Sequence, residues 1–176
     1  LTAIEECPVP VIAAIHGNCI GAGVDLATCC DIRLAQRGSV FSVREVQIGL
    51  AADVGTLQRL PKITGNDSRI REICYTGNYF DCNEAMDIGL VSRVCEDVVK
   101  DALELANQIA ANSPVAVMGT KRSLLYSRDH TVAEGLEHIA THNALALMTS
   151  DIPSSFMAIS NKEKANFSPL PPISRL

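Results

Sequence analysis

The sequence predicts a layered α/β fold whose last third is all helical. Three observations predict it. Residues 9–15, 31–35 and 39–42 are short apolar or alternating runs of strand length. A glycine-rich turn, GNCIGAG at 17–23, leads into an apolar segment of helical character. From residue 97 onward the apolar residues recur at helical spacing and no further strand run appears. Strand, glycine turn, helix and strand in succession form a ββα-type repeat.

The elements follow in order. LTAIEECPVP reads as a helix tail running into a proline stop. A fold rarely starts that way, so an N-terminal part of a longer protein is expected upstream. Residues 9–15 are β-branched and apolar, a buried strand. Residues 17–23 are a turn and 24–30 open a buried helix. Residues 31–35 alternate, a half-buried strand, and 39–42 form another. From Asp53 the chain reads as helix, with Pro61 near its end, and a second helix spans 67–74. Residues 76–80 are a turn or short strand. Asn83 caps a short helix that ends on Gly89. Residues 91–94 are a strand and 97–112 an amphipathic helix. Ser113-Pro114 starts another helix, with Pro at the first position. Residues 131–148 follow, with Thr131 as cap and Glu134 completing a capping box. A short helix at 152–159 is the last. The core is expected over 1–112. Residues 113–176 are expected to form a helical oligomerisation region with an extended tail.

Bulk properties exclude several classes of function. The 176 residues suffice for one domain with a sizeable core. Net charge is -5 and no basic run exceeds Lys121-Arg122, so the electrostatic footprint of a nucleic-acid binder is absent. No apolar run reaches the roughly 18–20 residues that span a bilayer. The seven cysteines are odd in number and lack a CxxC pair, so they read as reduced thiols acting as small hydrophobes. His138 and His142 have ligand spacing, but Ile139 stands where an HExxH motif needs Glu. They are read as a solvated or subunit-facing surface, and His16 as structural.

Chemistry concentrates between His16 and Asp53. Three acids sit there among residues that prefer the interior: Asp25 in GVDLA, Glu45 in VREV and Asp53 in AADVG. A carboxylate in an apolar place pairs, shifts its pKa or does chemistry. The plain alternative for each is a helix cap or a salt bridge. The glycine turn is not a dinucleotide fingerprint, since Leu26 occupies the third glycine position, and no P-loop Gly-Lys-Ser/Thr is present. Two readings remain: glycines that only permit a tight turn, or small residues that bare N–H groups at a helix N-terminus to hold an oxyanion.

The motifs PVIAAIHGNCIGAGVDLATCCDIR, FSVREVQIGL, AADVGTLQRLPKITG and EAMDIGLVSRV together resemble the crotonase, or enoyl-CoA hydratase/isomerase, superfamily. The resemblance implies a crotonase-like ββα spiral with a C-terminal all-helical region, acyl-CoA thioester substrates, and trimers often paired into hexamers. It places the second oxyanion donor at Ala22 or Gly23, and the first donor with much of the CoA-binding loop upstream of Leu1. Hydratases carry Glu at the positions of Asp25 and Glu45. Asp25, Glu45 and Asp53 together are similar to the Δ3,5-Δ2,4-dienoyl-CoA isomerase branch. That branch implies isomerisation of 3,5-dienoyl-CoA to 2,4-dienoyl-CoA, with Glu45 and Asp53 as the proton-transfer pair and Asp25 setting the electrostatics. No metal or redox cofactor is required. The rival readings are a hydratase, a simple Δ3-Δ2 isomerase, or a non-catalytic subunit that oligomerises through its helices. Ser174-Arg175-Leu176 is a conservative variant of the peroxisomal tripeptide, read by an import receptor. Peroxisomal location follows as an expectation, with mitochondrial targeting of the full-length protein a second.

Overall fold

The computed structural model describes residues 1–170, so the Ser174-Arg175-Leu176 signal lies outside the described residues. The chain divides into two compact units, Leu1–Leu105 and Ala106–Leu176.

The first unit repeats one step. A strand enters one sheet, a second strand enters another, and a helix follows. After α1 (Thr2–Glu5) come β1 (Ile12–Ile15), β2 (Asn18–Ile20) and α2 (Ala22–Cys29). The next turn is β3 (Ile32–Gln36) and β4 (Val40–Ser42), then a 3-10 turn at Glu45–Ile48 and the helices α3 (Thr56–Ile63) and α4 (Asp67–Thr76). The last step departs from this order: β5 (Phe80–Asp81) joins the second sheet, α5 (Cys82–Asp87) follows, and β6 (Arg93–Cys95) joins the first sheet and leads to α6 (Val98–Ala110). First strands pair in parallel in the order β1-β3-β6, with Ile12 opposite Ile32 and Leu34 opposite Arg93. Second strands form β2-β4-β5, parallel between β2 and β4 and antiparallel between β4 and β5. This is the ββα spiral of the crotonase fold.

Apolar burial holds the repeat. Phe41 of β4 is fully buried and its ring stacks on Phe80 of β5 at 5.4 Å between centroids. Around them pack Val24 and Ala27 of α2, Leu60 of α3, and Ile70 and Ile73 of α4. Each fully buried side chain of this size contributes about 1.5–3 kcal/mol before the entropy of ordering it. A second cluster joins Leu34, Cys95 and Val98 to Ala102 and Leu105 along one stripe of α6. All seven cysteines are free thiols.

In the second unit, α7 (Pro114–Tyr126) starts on Ser113, whose hydroxyl accepts the Ala116 N–H. The same hydroxyl donates to the buried Asp151 carboxylate at 2.5 Å, at the start of α9 (Asp151–Asn161). Between them α8 (Val132–Ala146) opens with the expected capping box of Thr131 and Glu134.

Four local expectations are corrected. Residues 17–23 are not all turn: Asn18–Ile20 pair with β4, a strand too short and too glycine-flanked to show a period. The helix expected from Asp53 begins at Thr56, because Gly55 at φ 121 breaks the helical path. Asp81, not Asn83, caps α5, accepting the N–H groups of Asn83 and Glu84. His138 and His142 turn onto α7 rather than to solvent. The Tyr126 ring lies between His130 at 3.6 Å and His138 at 4.2 Å, and the His142 ring lies over Gly119.

Candidate active site

The site is built where β2 ends and α2 begins. Gly21 caps α2 at φ 54, a conformation that glycine reaches without strain. Its N–H donates to the Ser42 carbonyl at the end of β4, at 2.9 Å. Its own carbonyl accepts from Val24 and Asp25 at 2.7 and 3.3 Å. The N–H groups of Ala22 and Gly23 are then the first of the helix and take no partner among the described residues. They stand at the positive end of the α2 dipole, an anion-binding arrangement. Beneath the turn, burial pushes the Cys19 thiol up to about 11.

Glu45 lies against this turn. A side chain on Gly21 would bring its Cβ 3.1 Å from Glu45 Oε1, so it would push the carboxyl back by a few tenths of an ångström. Glu45 Oε2 is buried and has no hydrogen-bond partner among the described residues. An unpartnered buried carboxylate oxygen carries a desolvation cost of about 1–3 kcal/mol or more, which marks a functional group rather than a stabilising one. The 3-10 turn that presents it is tied down from behind. Gln47 Nε2 donates to the carbonyls of Thr76 and Gly77 at 2.9 and 3.0 Å, at the end of α4. The Ser42 hydroxyl donates to the same Gly77 carbonyl at 2.8 Å. On α4, burial raises the Cys74 thiol pKa, and the nearby charge of Glu45 raises it further.

Asp25 has a different place. It is 1% exposed, in the first turn of α2, and its Oδ1 accepts the Thr56 N–H at 2.7 Å. Thr56 is the first residue of α3, which has no cap from its own N-cap residue Gly55. The Asp25 carboxylate therefore does from a distance what a capping side chain does locally. Asp53 lies three residues earlier, in the loop, and is exposed with no side-chain partner among the described residues. The sequence placed all three acids in apolar, water-poor surroundings. That holds for Asp25 and for Glu45 Oε2 but not for Asp53: of its neighbours only Ala52 is buried, while Ala51 and Val54 face outward.

The order of these features along one glycine turn and two acid-bearing segments decides the family. The enoyl-CoA hydratase/isomerase family matches residues 1–169. The chain belongs to that family. Among its relatives is the mitochondrial Delta(3,5)-Delta(2,4)-dienoyl-CoA isomerase of Homo sapiens, 54% identical over 91% of this chain and 50% of that protein. The peroxisomal Delta(3,5)-Delta(2,4)-dienoyl-CoA isomerase of Arabidopsis thaliana is 44% identical over 97% of this chain and 62% of its own length. An enoyl-CoA hydratase from Bacillus anthracis has the same fold, with a TM-score of 0.90 at 30% identity, covering 93% of this chain and 64% of that one. The chain spans about half the length of the animal relatives it matches.

Sequence reasoning found the acids and the turn but missed what holds them. Ser42, Gln47, Thr56 and Arg59 had no motif to announce them, because these partners lie 21–54 residues away in the chain. Gly55, directly ahead of the amphipathic run TLQRL, was the one available signal for the late start of α3. Among the described residues no group of three or more His, Cys, Asp and Glu could hold a metal ion, and no helix is long and apolar enough to cross a membrane.

Proposed function

We propose that the protein carrying this chain isomerises 3,5-dienoyl-CoA to 2,4-dienoyl-CoA. The observation that carries the reading is the Glu45 carboxyl, with one oxygen buried and unpartnered, set against a helix N-terminus that offers the N–H groups of Ala22 and Gly23. The identity to dienoyl-CoA isomerases supports it.

The chemistry asks for two separated proton carriers. The C2–H bond breaks, its electron pair moves into C2=C3, the second double bond shifts to C4=C5, and C6 gains a proton. The dienolate formed on the way carries its charge on the thioester oxygen. An N–H of Ala22 or Gly23 holds that oxygen, and one such donor lowers the barrier by about 3–4 kcal/mol. Glu45 and Asp53 serve the two carbons, one ionised and one protonated at the start. The thioester is the substrate's own activating group, so the reaction calls on no metal or redox group.

Two further expectations belong to the same reading. The protein is a homotrimer or homohexamer. Leu136, Leu145 and Met148 on α8 and its end, and Phe156 and Ile159 on α9, expose between 63% and 84% of their surface, an apolar area of the kind that subunits cover. Ser174-Arg175-Leu176 directs it to the peroxisome through the import receptor.

Turnover of a 3,5-dienoyl-CoA by the whole protein, followed by the ultraviolet absorbance of the conjugated product, tests the proposal. Absorbance growth that Glu45→Gln and Asp53→Asn abolish supports it. Hydration of a 2-enoyl-CoA without dienoyl isomerisation assigns a hydratase instead, and no turnover of either leaves a non-catalytic subunit.

A further inference from the structure

Asp53 is presented by a loop, and its side chain has no partner among the described residues. Something else must fix where its carboxyl stands. The structure assigns that role to Arg59: we propose that Arg59 is the positioning residue of the Asp53 loop. The proposal rests on the reading that Asp53 carries a proton.

Arg59 lies on α3, one turn after the loop, and its backbone N–H donates to the Gly55 carbonyl at 3.0 Å. Its side chain folds back over that turn. Nη1 donates at 3.3 Å to the carbonyl of Val54, the residue after Asp53. The guanidinium also lies on Gly55 itself: a Cβ there would stand 1.7 Å from Nη1, so the arginine fills the space a side chain would take. The other edge of the guanidinium is fixed. Nε and Nη2 donate to Glu5 Oε2 at 3.1 and 2.9 Å, and both side chains are 16% exposed. This pairing keeps the Arg59 pKa above its ordinary value.

A planar fork with five donors can serve Glu5 on one edge and Val54 on the other. An ammonium group is a point charge on a flexible stem and cannot span both. The Thr56 N–H on Asp25 fixes the start of α3, and Arg59 fixes the peptide before it. Between the two anchors Gly55 takes φ 121, which sets the direction in which the loop leaves the helix. Asp53 is thus located through its backbone, from Glu5 through Arg59 to Val54.

The test uses the whole protein and compares Arg59→Lys, Arg59→Ala and Asp53→Asn by amide hydrogen exchange across residues 51–56 and by kcat and KM on a 3,5-dienoyl-CoA. Arg59→Lys is expected to speed exchange in this segment alone. It lowers kcat roughly tenfold to a hundredfold, as displaced catalytic groups do, with KM held within about twofold. Methylguanidinium restores part of the activity of Arg59→Ala and none of that of Asp53→Asn. Exchange unchanged in Arg59→Lys overturns the proposal, and so does faster exchange with unchanged kcat. Where Arg59→Ala does not fold, Arg59→Lys decides. If the unmutated protein turns over no dienoyl substrate while Arg59→Lys still speeds exchange, the substrate reading falls and the hold of Arg59 on the loop stands.

Discussion

Glu45 and Asp53 sit eight residues apart in one continuous segment, yet the protein treats them in opposite ways. The Glu45 turn is anchored behind the acid, by Gln47 and Ser42 on the end of α4, and the carboxyl is pushed into a place where one oxygen is buried with no partner among the described residues. The Asp53 loop is anchored after the acid, at Val54 and Thr56, and the carboxyl is left exposed. A buried, unpartnered carboxylate oxygen is costly to the fold. An exposed one costs nothing and depends on its substrate for a dry environment. One framework thus holds two carboxyls in different settings, the condition under which an acid and a base can work together.

The largest break in this comparison comes from the acids themselves. Glu45→Gln and Asp53→Asn should each lower kcat about 10²–10⁴-fold. Their effects on the fold should differ. Glu45→Gln removes a charge from a buried site and should raise thermal stability by about 1 kcal/mol. Asp53→Asn, on the surface, should stay within about 0.5 kcal/mol of the parent. Calorimetry of both variants checks this, and equal shifts would erase the distinction.

The two glycines sharpen it next. Gly55→Ala forces a side chain into φ 121 and onto an arginine pinned by Glu5, whereas Gly21→Ala meets a single carboxylate oxygen at 3.1 Å. Gly55→Ala should destabilise by about 3 kcal/mol and Gly21→Ala by about 1–2 kcal/mol. Chemical denaturation measures both. Gly21→Ala should nonetheless lose more activity for each kcal/mol of stability, since it displaces Glu45 from the helix N-terminus.

Much of this was legible in the sequence, and the limits are physical. The strands of four or more residues and the caps at Ser113 and Thr131 are local events, set by neighbours within a few positions. The three acids stood out because their neighbours are apolar. What was illegible is what a carboxylate does once placed. Asp25 and Asp53 share apolar flanks, but Asp25 is buried on Thr56 and Asp53 is exposed, a difference made by where Gly55 stops the helix. β2 was hidden for a related reason: it exists as a strand only because β4 lies beside it.

Asp25 links the two regions and predicts a smaller effect. Asp25→Ala should cost about 1–3 kcal/mol, because the buried Thr56 N–H loses its acceptor, and Asp25→Asn should cost less, because the amide oxygen still accepts. Equal losses in the two variants, measured by denaturant unfolding, would mean that the charge and not the hydrogen bond matters there. The smallest effect is a report on charge. Glu45 raises the Cys74 pKa on top of burial, so Glu45→Gln should move the pH profile of Cys74 alkylation to lower pH. Asp53→Asn should leave it in place, and residue-resolved mass spectrometry distinguishes the two.

The central claim is that two carboxyls serve two carbons. It is tested most directly by running the reaction in deuterated water with the parent protein, Glu45→Gln and Asp53→Asn, and locating the label by magnetic resonance. The parent should place deuterium at C6 of the product. One of the two variants should still exchange the C2 proton of unreacted substrate without releasing product, and the other should do neither. If both variants exchange C2 alike, or if either still delivers labelled product at the parent rate, one carboxyl does the work of two and the account is wrong.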